Sequence, residues 1–393
     1  METSTGSDDH HDHDPIYTDL LEPDAIRLLE LYPGPIPAIP LMGSLIVTTL
    51  RACEADLINR YTALSYVWGD PAPADTVTLA GGSAKLGITA NLSTALKDVR
   101  HTSEVMTVWV DAVCINQADV PERNRQVGLM REIYGYAGST IIYLGPLNPG
   151  LSLIFDTAVE MKRQSMRLQD SSPSHKGEEE ENKGTEVVDD DENSDDHDRR
   201  QLLHRAVEED LCPLPWFSRG WVFQELMISK DPRIQCGGRR LGWDDVLDVV
   251  RPIVCRAGTG RLLKVLDAVR RDGVPANKDL RSLVLARRGC HVSDPCDLFY
   301  SLMGLASDHE IYRRFLVPDY SKPAREVYIA AARYMQQKMG LPSFLQTALN
   351  WSAPKKSGVL RLPSWVPDWG SRPSPTPPPP RIRRRRLVPR TNR

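Results

Sequence analysis

The chain has 393 residues, 41% of them hydrophobic and 26% charged, with a formal net charge of −3. No apolar run reaches the ~18 residues needed to span a bilayer, and residues 1–14 lack the basic-then-apolar order of a secretory signal, so a cytoplasmic protein without a membrane span is expected. The seven cysteines are odd in number and lack CxxC spacing, which argues against a disulfide framework or a zinc ribbon.

Residues 1–30 include DDHHDHD (8–14), where His10, His11 and His13 are conceivable metal ligands. A polar terminus beside Pro15 reads more simply as disordered, and no metal site is expected. YTALSYVWGD (61–70) reads as a strand closing on a Gly-Asp-Pro turn, and TANLSTALKDVR (89–100) as a helix capped by Thr89 or Asn91. TVWVDAVCI (107–115) is short and β-branched, which suits a buried strand. A helix follows, with Asp119 as N-cap, Pro121 near its first turn and Glu122 at capping-box spacing. Its apolar positions Val127, Met130, Tyr134 and Ala137 recur at helical spacing, and Gly138 closes it before the strand STIIYLG (139–145). So short a strand–helix–strand linkage favours a parallel pair.

Residues 176–198 hold twelve acids against two lysines and almost no large apolar side chain. Such a stretch cannot bury enough surface to offset ordering entropy, so 170–200 is expected to be a disordered insertion within an α/β domain spanning 31–228. Segments 245–289, 294–306 and 325–338 read as helices, which makes 229–370 mainly helical. No internal period marks a separate repeat-type sensor there. The tail 371–393 carries seven prolines and eight arginines and is expected to be unstructured; its RIRRRR run suits a nuclear address or a nucleic-acid contact, or merely a solvated basic tail.

In open α/β sheets, ligands bind beyond the carboxyl ends of the strands. That rule gathers Trp68, Gly69 and Asp70, then Asn116 and Gln117, then the segment SRGWVFQEL (218–226). Asp111 sits in an apolar run, where a carboxylate needs a partner; Arg123 or Arg125 on the next helix could supply it. If 220–228 is helical, Trp221 and Glu225 share a face, opposite a core-facing arc of Val222, Phe223, Leu226 and Met227. An indole beside Glu225 would raise its pKa and attract cations. The simpler alternative is a structural salt bridge between Glu225 and Arg219.

His101 is the only histidine in 61–145 and none lies in 211–230, so Ser or Cys hydrolase chemistry lacks a base. No P-loop, HExxH or GxGxxG occurs, and Cys114 reads as a small buried hydrophobe. A reaction that needs one carboxylate fits better. Cleavage of the nicotinamide–ribose bond of NAD is such a case, because the leaving group is already cationic and a carboxylate can stabilise the ribosyl cation.

YTALSYVWGD, VWVDAVCINQADVPERNRQVGLMREIYGYAGSTIIYLG (108–145) and PWFSRGWVFQEL (215–226) together resemble the fungal heterokaryon incompatibility (HET) domain. The likeness extends over about 30–370, including DPCDLFYSLMGLA, VPDYSKPAREVY and LPSWVPDW. It implies a role in non-self recognition, in which the domain triggers cell death on fusion of incompatible hyphae, through self-association or another incompatibility protein. More distantly, Trp221, Glu225 and Leu226 resemble the tryptophan-to-glutamate motif of Toll/interleukin-receptor (TIR) domains. That implies a TIR/flavodoxin-like parallel sheet with flanking helices, NAD as substrate rather than as a bound cofactor, Glu225 as the catalytic residue, and Tyr66, Trp68 and Asp70 beside the nucleotide. Arg219 and Val222 depart from the TIR pattern, and non-enzymatic TIR domains act only as assembly modules.

Overall fold

A computed structural model describes residues 16–56, 58, 60–80, 82, 84–170, 190–256, 260–272, 279–287, 289–351 and 360–370. The N-terminal histidines, the acidic residues 171–189 and the tail 371–393 lie outside the described residues.

Nine strands form one sheet: β1 (Ala25–Leu31), β2 (Leu41–Thr49), β3 (Thr62–Ser65), β4 (Pro73–Leu79), β5 (Lys85–Thr89), β6 (Met106–Trp109), β7 (Ser139–Gly145), β8 (Pro232–Cys236) and β9 (Arg239–Gly242). Their spatial order is β5-β4-β2-β1-β6-β3-β7-β8-β9. The α/β class stands as expected, but the sheet is mixed. β4, β2, β6, β3, β7 and β8 run in one direction and β5, β1 and β9 against it, so that β1 divides the parallel pair β4-β2 from a contiguous parallel core β6-β3-β7-β8, which β9 closes antiparallel to β8. In chain order that parallel core reads second-first-third-fourth, the doubly wound arrangement whose switch point lies between β3 and β7.

Two expectations are corrected here. The strand β6 ends at Trp109, and Asp111–Cys114 form a helical turn instead of continuing it. Asp111 drives this locally, since its Oδ1 accepts the Ala112 N–H at 2.8 Å and competes with ladder pairing. Secondly, β6 and β7 are parallel but not neighbours, because β3 lies between them. The crossover is right for a parallel relation; the sequence could not show which third strand fills the gap.

The expected helix after Asp119 is present as two pieces, Val120–Gly128 and Met130–Tyr136. Asp119 caps the first by accepting the Glu122 N–H at 3.0 Å. The reciprocal half of the capping box is absent, because the Glu122 carboxylate instead takes Arg27 of β1 at 2.6 and 2.9 Å and the Asn116 N–H at 2.8 Å. Thr89, not Asn91, caps Ala90–Val99. Asn91 donates its amide to Val67 O at 3.1 Å and lies so close to Gly69, at φ +71°, that a Cβ there would meet it at 2.5 Å. Glycine is therefore required at the turn that ends the β3 loop.

Side chains alternate across β7: Ile141 and Tyr143 join a core on one face, Ile142 and Leu144 a second core on the other, as the period of two demands. The first core is built from residues 26–143. The second runs from 142 to 369 and includes the helices Trp243–Arg256, Leu280–Ala286, Asp297–Met303 and Ala324–Met339. The sheet therefore starts before residue 31 and continues past 228. Pro149–Asp170 and Asp190–Arg205 are helical, so the described end of the 170–200 stretch is helix rather than irregular chain.

Candidate functional site

The carboxyl end of β3 places Ser65, 1% exposed, beside the 3-10 turn Pro215–Ser218 and the helix Val222–Ile228. Ser65 Oγ accepts the Trp216 indole N–H at 2.8 Å and donates to Glu225 Oε2. Glu225 is only 2% exposed. Its Oε2 lies 3.8 Å from Arg219 Nη1, and the same Arg219 nitrogen donates to Tyr66 O. The carboxylate inside the apolar stretch 218–226 is thus accounted for: Val222, Phe223 and Leu226 enter the core while Glu225 meets serine and arginine.

A second carboxylate lies nearer the surface. Asp111 Oδ2 accepts the Trp68 indole N–H at 2.8 Å, and Gln117 reaches back to the Asp111 carbonyl at 2.9 Å. Asp111 faces Arg219, not the expected Arg123 or Arg125. Arg123 stacks over Tyr320 at 4.2 Å, and Arg125 donates to Leu20 O. The Tyr66 ring is buried, and its hydroxyl lies against Asp111 without a hydrogen bond of ordinary geometry.

These charges share one balance. Burial raises the pKa of both Glu225 and Asp111, and Arg219 opposes that rise in each. Burial also works against the charge of Arg219, but the two carboxylates outweigh it and hold its pKa above the usual value. One cation thus serves two acids.

Of the residues anticipated from sequence, Tyr66, Trp68, Asp111 and Glu225 converge here. Asp70 does not: it is exposed, and its Oδ1 accepts the Ala72 N–H at 3.0 Å in the turn. Trp221 is the N-cap of the helix with helical φ/ψ, and its carbonyl accepts the Glu225 N–H at 3.1 Å. Its indole hydrogen-bonds Asp297, whose Oδ1 also accepts the Tyr320 hydroxyl at 2.5 Å. The indole linked to Glu225 is that of Trp216, through Ser65. Ser65, Trp216 and Asp297 were not singled out in the sequence.

The segment carrying Arg219 and Trp221 is held from outside the sheet. His291 pairs with Arg219 as a parallel bridge, its N–H donating to Ser218 O at 2.6 Å and its carbonyl accepting the Gly220 N–H at 2.9 Å. Approach is so close that a Cβ on Gly220 would meet Val292 at 2.7 Å. Arg287, 2% exposed, donates to Arg219 O at 2.7 Å and lies over the Phe223 ring at 5.3 Å. Gln224, with its amide nitrogen toward Ser301 O, donates there at 3.1 Å and accepts the Arg131 N–H at 3.1 Å.

Among the described residues no cluster of three or more His, Cys, Asp or Glu could hold a metal. Burial pushes the Cys114 thiol up to about 12, which suits a small hydrophobe rather than a nucleophile. No helix among the described residues is long and apolar enough to cross a membrane.

Fold and site define a doubly wound α/β protein with a buried serine–glutamate–arginine cluster at the carboxyl end of its first parallel strand, braced by a helical second half. Residues 61–225 match the family model described as heterokaryon incompatibility protein (HET), so this part of the chain carries a HET domain. It is 27% identical over 410 aligned residues to heterokaryon incompatibility protein 6, OR allele, of Neurospora crassa, an alignment covering 88% of this chain and 58% of that protein. The chain therefore spans less than two thirds of the length of this relative. No solved structure matches it. The matched segment starts immediately before β3 and ends at Glu225, so it contains the site but neither β1 and β2 nor the bracing residues 287–301.

Proposed function

We propose that this HET-domain protein is an effector of fungal non-self recognition that brings about cell death by cleaving NAD in a TIR-like manner. The observation that supports this reading most is the convergence of Glu225, Asp111 and Arg219 at the carboxyl end of the parallel strands, with Trp68 at the outer edge. In the reaction, the bond between C1′ of the ribose and the nicotinamide nitrogen breaks. The electron pair goes to the ring nitrogen and neutralises it; water attacks C1′ and releases a proton, leaving nicotinamide and ADP-ribose. Glu225 and Asp111 stabilise the developing ribosyl cation in their ionised form, which Arg219 favours against the effect of burial. Trp68 offers a ring to nicotinamide. We place the protein in the cytoplasm, working with a second copy of itself or another incompatibility protein.

A second reading is favoured by one specific observation, the 2% exposure of Glu225. In it the carboxylate is a structural partner of Ser65 and Arg219, and the domain is a non-catalytic assembly module. The discriminating measurement is the NAD content of cells expressing the full chain, beside Glu225→Gln at equal protein level. Loss of NAD in the parent alone supports catalysis; cell death with NAD unchanged assigns the domain to assembly.

A further inference from the structure

A wide concavity lies on the Gln224 side of the Val222–Ile228 helix, and Glu225 does not line it. Its volume is about 1230 Å³, and it separates the Val120–Tyr136 helices from the segment 300–318. Arg125, Arg131 and Arg313 line it against one acid, Glu132. With His309 neutral, three positive charges against one negative leave a net +2 in a chain whose total is −3. A positive lining here is therefore a local feature, not a reflection of overall charge.

None of the three arginines forms an ion pair with another described residue. Arg125 donates to Leu20 O and Arg131 to Gly304 O, both carbonyls. Two acids just beyond the groove are already matched, Asp308 by Lys338 and Asp319 by Lys322, each at 3.2 Å. Arg131 and Arg313 are exposed and come from opposite walls. Gln224 ties those walls together at the floor through Arg131 N–H and Ser301 O, so the groove is preformed rather than a gap between loosely docked halves. Beside the charges, half-buried Leu129 and Met227 supply an apolar floor.

A planar guanidinium fork matches phosphate oxygens two at a time, and a pocket of this size that combines apolar lining with a few fixed polar groups suits a small organic ligand. We propose that this groove binds a polyphosphate-bearing small molecule, with the phosphates held between Arg131 and Arg313. The chemistry recognised is that of a triphosphate, whether on a nucleoside or as an inorganic chain. The site is separate from the Glu225 cluster and does not depend on NAD cleavage.

The test is calorimetric titration of the full chain with ATP and with inorganic triphosphate. Saturable binding is expected, weakened roughly ten-fold or more by the double substitution Arg131→Glu, Arg313→Glu. Both positions are exposed, and thermal melting checks that the fold survives. The pair Arg51→Glu, Arg199→Glu makes the same change in net charge on other surfaces and should leave affinity within about two-fold. Glu225→Gln should bind as the parent does. Tighter binding of ATP assigns the nucleoside form and shows the apolar floor at work; equal binding assigns the inorganic chain. No saturable binding of either probe, or equal losses in the two double variants, overturns the proposal.

Discussion

Glu225 and Asp111 share Arg219, so a substitution at either acid alters the charge balance of the other. Glu225→Gln keeps the shape and the Ser65 contact but leaves Arg219 with Asp111 alone. It is expected to abolish NAD loss on the catalytic reading while lowering stability by only about 1–2 kcal/mol, because Arg219 is partly exposed and can be hydrated; urea unfolding checks the second part. Asp297 carries a different expectation. Burial raises its pKa to about 6, helped by Asp294 and opposed by the Tyr320 and Trp221 hydrogen bonds and by Arg123. The folded state thus keeps a proton that the unfolded state has lost. Stability from this group is fully present below pH ~4 and falls as pH rises to ~6, by up to about 3 kcal/mol. The difference in unfolding free energy between parent and Asp297→Asn, measured from pH 4 to 7, should show that slope; a flat difference would contradict it.

At the scale of elements, the helix Val120–Gly128 is fastened to β1 by the Glu122–Arg27 pair, whose members are 8% and 1% exposed. Breaking one side leaves a buried guanidinium without its carboxylate. Glu122→Gln should therefore cost roughly 3–5 kcal/mol, and pairing Arg27→Met with Glu122→Leu should recover a good part of that. Chemical denaturation of the three variants measures this directly. The capping role of Asp119 is the smaller term, and Asp119→Ala should cost about 1 kcal/mol.

Across the whole molecule, the matched HET segment does not close its own site. Ser218 and Arg219 accept hydrogen bonds from residues 287–301, and Gly220, Trp221 and Gln224 donate to them, and the second core continues through the helical half to Trp369. A chain ending after Gly242 is accordingly expected to lose cooperative thermal unfolding and to expose apolar surface to a hydrophobic dye. A sharp transition in that fragment would show that the helical half is dispensable. The C-terminal half is in this sense part of the domain rather than a separate attachment.

Local chemistry in the sequence was sufficient for the α/β class, the strand Ser139–Gly145, the Asp119 cap and the helices of the second half, because periodicity, capping residues and turn glycines act within a few positions; between Thr89 and Asn91 as cap only the structure decided. It also drew attention to Glu225, since a carboxylate among apolar neighbours must have a partner. The identity of that partner's surroundings was decided by the tertiary structure. Ser65 meets Glu225 across 160 positions and Arg27 meets Glu122 across 95, and no local pattern encodes such pairings. The same holds for the sheet: antiparallel β1 and β9 border the parallel core, and β3 separates β6 from β7, because long-range ladder pairing and burial select neighbours that the order of the chain leaves open. Trp221 shows the limit most clearly. Helical spacing related it to Glu225, and its carbonyl does accept the Glu225 N–H, yet Asp297, from the second half, offers its indole N–H a buried acceptor that no local pattern encodes.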